Sequence, residues 1–172
     1  MKETIRAFDC AEQIVKALPK GILLNTKGAK FNSMVIGWGH LGVIWGLPTF
    51  TVYVRQSRYT KPQLDATGEF TISVPLGEEG LSREVFRVFG SQSGRDVDKA
   101  GFVTLEEPRT IRTPGIREYP LTLECRVLYR QDQVLEEIPQ QIRDRYYGRG
   151  GDAGDFHTAY IGQIVDAYMI RP

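Results

Sequence analysis

A chain of 172 residues with 41% hydrophobic and 25% charged residues has a globular composition and enough length to bury a core without disulfide or metal staples. The formal net charge of +1 gives no global field for nucleic acid or an anionic membrane, so any anion site must be local. No apolar run reaches the ~18 residues of a membrane helix, and Glu3, Asp9 and Glu12 fall where a signal peptide needs an apolar core. The reading is one cytoplasmic domain over residues 1–172, with neither nucleic acid nor membrane as a partner.

In chain order, Phe31 to Gly37 reads as a strand, followed by a glycine-rich connection that carries Trp38 and Trp45. Thr49 to Arg55 alternates, with Phe50, Val52 and Val54 on one face and Thr51, Tyr53 and Arg55 on the other. Thr60-Lys61-Pro62-Gln63 has the pattern of a capping box with Pro in the first turn, and Gly68 closes that helix. Glu69 to Val74 is a second alternating strand. Ser82 caps a helix whose apolar side carries Val85, Phe86 and Phe89, ended by Gly90. Gly101 to Leu105 and Leu121 to Leu128 are strands, a helix runs from about Pro139 to Tyr147, and Gly148 to Asp155 is an apolar-free loop with the pattern of a mobile one. Thr158 to Ile170 is a long strand with a bulge at Gly162. Short β-branched strands with Gly/Pro punctuation predict a mainly β fold with a few short helices, as a barrel or sandwich.

Cys10 and Cys125 lie in no paired pattern and read as reduced structural thiols, with Cys125 at a strand core position. His40 and His157 show no metal-site spacing, and His40 reads as a surface residue.

Gly37, Gly39 and Gly42 form a G-x-G-x-x-G, but its context excludes a dinucleotide fold. The motif must open a helix, and Val43-Ile44-Trp45-Gly46-Leu47-Pro48 is too β-branched and too soon broken to supply one. Arg58 and Tyr59 stand where an acidic ribose ligand is expected.

Arg55-Gln56-Ser57-Arg58-Tyr59-Thr60-Lys61 is different. A strand ends, three cations occur in seven positions without an acid, and a helix begins. Unpaired N–H groups at the helix start, with the Ser57 and Thr60 hydroxyls, suit a single phosphate. The same residues also suit a solvated strand end. A second polar cluster, Ser91 to Lys99, has a turn at Gly94, Asp96 as a cap and Lys99 as a cation for a phosphate or a reduced ring.

With these residues in hand, the chain resembles the flavin reductase-like family of FMN-binding split β-barrels, which includes flavoredoxin. The resemblance is carried by N-S-M-V-I-G-W-G at 32–39, P-x-F-T-V-Y-V-R-x-S-R-Y-T at 48–60, S-G-R-D-V-D-K at 93–99 and H-T-A-Y-I-G-Q-I-V-D at 157–166. It implies a homodimer of Greek-key split β-barrels, each holding FMN near the interface. Asn32, Ser33, Met34 and Val35 would run along the isoalloxazine, with Trp38 packed near it. The block containing Arg55, Ser57, Arg58, Tyr59 and Thr60 would take the phosphate. Ser93 and Lys99 would approach the cofactor from the second cluster. The family often has Thr after Met34, whereas Val35 offers no side-chain hydrogen bond. His157 is either a strand-end histidine in a structural hydrogen bond or a catalytic residue that donates to the flavin or stabilises its reduced form.

The function implied is an oxidoreductase that takes hydride from NAD(P)H onto FMN and passes electrons to an acceptor. The alternative is an FMN-binding or flavoredoxin-like carrier without NAD(P)H activity of its own.

Overall fold

The computed structural model describes residues 1–77, 79–148 and 153–171. Its strands are β1 (Lys2–Thr4), β2 (Ile22–Lys27), β3 (Phe31–Ile36), β4 (Gly39–Ile44), β5 (Leu47–Arg55), β6 (Glu69–Val74), β7 (Leu105–Glu106), β8 (Gly115–Ile116), β9 (Leu121–Asp132) and β10 (His157–Ile170). The α-helices are α1 (Ala11–Ala17), α2 (Thr60–Thr67), α3 (Arg83–Ser91) and α4 (Gln140–Tyr146). The mainly β expectation holds.

One antiparallel sheet runs in the order β3-β2-β6-β9-β10-β5-β4, with β1 added to β10. It curls around a single core, because Ile22, Leu24, Phe50, Val52, Phe70, Ile72, Leu121, Leu123 and Tyr160 come from five of its strands and pack together. The hydrogen-bonded path does not close. Its end strands β3 and β4 are joined only through Gly37 and Trp38, so the barrel is split where the candidate site lies.

A second core lies outside the sheet. Val85, Val88 and Phe89 of α3 cover Leu23 and Phe31, so β2 is buried on both faces. Phe86, expected on that apolar side, is 50% exposed, and Val88 takes its place at the helical spacing. Ser82 caps α3 as expected, accepting from the Val85 N–H at 3.2 Å. The helix runs one residue past Gly90.

Four local expectations change. The connection after Gly37 is a regular strand, β4, in a hairpin with β5 through Trp45 and Gly46. Those two residues have φ of 54° and 72°, the double left-handed turn that matches strand twist. Residues 101–105 split into a 3₁₀ turn at Lys99–Phe102 and the short β7, and the turn is capped by Asp98 rather than Asp96. Thr60 and Gln63 do not cap α2, whose N-terminus shows no side-chain cap. They bond outward instead: Asn32 Nδ2 donates to Thr60 Oγ1 at 2.9 Å, and Thr26 Oγ1 donates to Gln63 Oε1 at 2.5 Å.

Gly68 does close α2, at φ 63°. The β10 register slips at Ile161/Gly162, as the expected bulge requires. A side chain at Gly162 would sit 2.5 Å from the Phe70 ring. Of the 148–155 loop, residues 149–152 lie outside the described residues, and so does any test of its mobility.

Candidate functional site

Two cavities of about 170 and 150 Å³ adjoin at the split, sharing Met34 and Arg58 in their walls. The smaller is polar. It is lined by Asn32, Thr60, Ser93, Gly94 and Lys99 among others, and so joins β3, the start of α2 and the second polar cluster. The larger is lined by Val35, Trp38, Tyr53, Arg55 and His157.

Lys99 dominates the polar cavity. It is 2% exposed, and its Nζ donates to two backbone carbonyl oxygens, Ser33 at 2.6 Å and Phe89 at 3.5 Å. Among the described residues no carboxylate pairs with it. Burial lowers its pKa to about 8, with a smaller contribution from Arg58. Arg58 is exposed and makes no side-chain ion pair or hydrogen bond among the described residues. A buried ammonium with only neutral partners is costly unless an anion joins it.

Nearby polar atoms add to this. Asn32 Oδ1 and Ser33 Oγ are buried without a hydrogen-bond partner. Thr60 Oγ1 already accepts from Asn32, which leaves its own O–H as a donor. Gly94 is the only residue type that fits against Asn32, because a Cβ there would lie 2.1 Å from Asn32 Oδ1 and 3.0 Å from Tyr59. Tyr59 is flanked by Arg95 at 5.2 Å and Lys30 at 5.7 Å from its ring centroid.

The larger cavity is walled by rings. Trp38, 41% exposed, meets His157 at 5.0 Å and Tyr146 edge-on at 5.1 Å between centroids. His157 stands opposite Arg55 in the β10–β5 register.

Arg55 lines only the larger cavity, whereas Ser57 lines the polar one beside Arg58, and both also hold neighbouring protein groups. Arg55 donates to the Asp155 and Tyr146 carbonyl oxygens, each at 2.9 Å. The Ser57 N–H and hydroxyl donate to the Asp155 carboxylate at 3.1 and 2.5 Å. The structure thus gathers Asn32, Ser33, Ser57, Tyr59, Thr60, Ser93 and Lys99 at one end, and Val35, Trp38, Arg55 and His157 at the other, with Met34 and Arg58 between. Tyr146, Tyr147, Gln133 and Asp155 were not singled out from the sequence. They reach the site by long-range contact, and their one visible signal was the aromatic pair ending the 139–147 helix.

A sequence description of the flavin reductase-like domain matches residues 17–172, nearly the whole chain. The chain belongs to the flavin reductase-like family. A relative from Archaeoglobus fulgidus, an uncharacterized protein, is 35% identical over 116 residues, covering 66% of this chain and 52% of that protein. The chain thus spans about half the length of that curated relative. Among solved structures, flavoredoxin from Methanosarcina acetivorans is similar at 25% identity and TM-score 0.64, covering 87% of this chain and 67% of that one. An FMN-binding domain of a flavin reductases-like enzyme from Shewanella baltica superposes at TM-score 0.67 and 17% identity, over 99% of this chain and 78% of that one. An NADH:FAD oxidoreductase of Streptomyces globisporus does so at TM-score 0.63 and 18% identity, over 87% and 74%. The latter two show likeness of fold.

For a flavin reductase-like chain the donor set is chemically apt. A phosphate suits the Lys99 end, and a planar ring with polar edges suits the orphaned Asn32 and Ser33 atoms and the Trp38 wall. Among the described residues no group of His, Cys, Asp and Glu is placed to hold a metal ion, and no helix is long and apolar enough to cross a membrane.

Proposed function

We propose that this chain binds FMN across the two adjoining cavities and acts as an oxidoreductase, taking hydride from NADH or NADPH and passing electrons to an acceptor. The observation that carries the reading is the buried Lys99 ammonium, held by two carbonyl oxygens, at a cavity that also collects Arg58, Thr60 and Ser93. In this reading Lys99, Arg58, Tyr59, Thr60 and Ser93 hold the phosphate. Asn32, Ser33, Met34, Val35 and Trp38 flank the ring, and His157 stands at its far end. Arg55 and Ser57 hold Tyr146 and Asp155 beside the ring.

When bound, FMN supplies the hydride and electron chemistry. The chain's residues bind, orient and exclude water, which requires no catalytic carboxylate pair. The family match supports the flavin, and the NADH:FAD oxidoreductase neighbour supports the reductant class. The flavoredoxin neighbour at 25% identity supports the carrier alternative.

Anaerobic mixing of the FMN-loaded protein with NADH and with NADPH tests the choice. Loss of the flavin's blue absorbance with either nucleotide is the expected result. A bound flavin that neither nucleotide reduces assigns the chain to the carrier class. The assembly is proposed to be a homodimer, which predicts a solution mass near twice 19.5 kDa.

A further inference from the structure

His157 is one of only two histidines in the chain and lines the larger cavity. A neutral imidazole carries its proton on one of two nitrogens, and that choice decides what the ring gives and receives. The surrounding hydrogen bonds fix the choice by proton counting. The His157 backbone N–H donates to Gln133 Oε1 at 3.1 Å. A backbone N–H only donates, so the oxygen of the Gln133 amide, not its nitrogen, occupies that place.

The Tyr147 hydroxyl lies 2.9 Å from the same Oε1, and an amide oxygen only accepts. Tyr147 therefore gives its single proton to Gln133. Its oxygen is also 2.8 Å from His157 Nδ1. With the proton committed, that oxygen accepts, so Nδ1 carries a hydrogen.

The arrangement is rigidly set. The Gln133 backbone N–H donates to the His157 carbonyl at 3.0 Å, so one backbone bond and one side-chain bond join the two residues. His157 and Tyr147 are each 6% exposed. The Tyr147 ring is held by the Arg55 guanidinium at 5.2 Å and meets His157 edge-on at 5.6 Å, while Trp38 covers another side of the imidazole.

We infer that Gln133 and Tyr147 are positioning residues that hold His157 in its Nδ1–H form, leaving Nε2 as the nitrogen that gains and loses the proton. Of the two ring nitrogens, Nε2 is then the basic one in the neutral ring. The neutral ring acts there as an acceptor, and only the protonated ring acts as a donor. The link to flavin rests on the proposed function; the tautomer does not.

The test uses flavin-free protein labelled with ¹⁵N-histidine, followed by long-range ¹H–¹⁵N NMR at a pH where the ring is neutral. His40→Gln identifies the His157 signals by elimination. The expected wild-type spectrum has a protonated-type Nδ1 and an unprotonated-type Nε2. Gln133→Met frees the Tyr147 proton to turn toward Nδ1, so His157 is expected to switch to the Nε2–H form. Tyr147→Phe keeps the ring but removes the acceptor, and is expected to shift the population the same way. A neutral wild-type ring with its proton on Nε2 overturns the inference, whatever the variants do. So does a folded Gln133→Met protein that retains Nδ1–H. Because the spectrum is read without flavin, failure of FMN binding leaves it unaffected and the two claims fail separately.

Discussion

The Lys99 ammonium donates to the Ser33 carbonyl oxygen at 2.6 Å, which ties the 93–99 cluster to the strand along the site. That bond places a positive charge in the interior with two carbonyl dipoles and the face of the Phe89 ring, at 5.4 Å, as neutral partners. A folded chain accepts such a group at the expense of stability, and the expense is recovered when an anion binds beside it.

Replacing Lys99 by Met therefore separates stability from binding. Its pKa falls from 10.5 to about 8 in the fold, which at ~1.4 kcal/mol per unit is a destabilisation of about 3 kcal/mol below pH 8. The unfolded chain binds more protons between pH 8 and 10.5, so wild-type stability rises with pH across that window. Lys99→Met is expected to unfold at higher temperature than wild type at pH 7, to lack the alkaline rise, and to bind FMN more weakly. Scanning calorimetry and flavin titration check the two halves. Wild-type affinity for FMN should fall as pH rises through about 8, and the variant should lose that step.

Arg58 lies in the wall shared by the two cavities, and Trp38 lines the larger one alone. Arg58→Ala should weaken FMN by roughly 10- to 100-fold, the worth of a charge-assisted hydrogen bond, and leave riboflavin nearly unchanged. Trp38→Ala should weaken both flavins alike, because the ring is common to them. Fluorescence quenching by each flavin measures the contrast.

Gly94→Ala drives a methyl to within 2.1 Å of Asn32 Oδ1 and 2.9 Å of its Cγ. Asn32 must then leave Thr60, and the wall of the polar cavity moves with it. The expected cost is about 1–3 kcal/mol of stability together with loss of FMN binding, read by denaturant unfolding and titration.

Gly162→Ala tests the fold without touching the site. Its methyl would overlap the Phe70 ring at 2.5 Å inside the barrel. A loss of about 1–3 kcal/mol is expected, with the preference for FMN over riboflavin retained in the folded fraction.

β5, with one buried face, was legible from alternation, and so was β6, where Phe70, Ile72 and Val74 alternate with Thr71 and Ser73 although both faces are buried. β2 was not, because α3 covers its outer face and the run Ile22 to Thr26 is buried throughout. Thr60 and Gln63 imitate a local cap, while their actual partners, Asn32 and Thr26, lie 28 and 37 residues away. Arg58 stood out in the sequence within a run of cations that holds no acid, and Lys99 as the cation closing the second polar cluster. The bonds from Asp155 to Ser57 and from Tyr147 to His157 left no local pattern, since they arise only when the chain folds back over β5 and β10.

The most direct test titrates flavin-free wild-type protein with FMN and with riboflavin under the same conditions. The phosphate-holding role of Lys99 and Arg58 predicts saturable binding of both, with FMN tighter by roughly tenfold or more. Equal affinities, or no binding of FMN, would contradict the account.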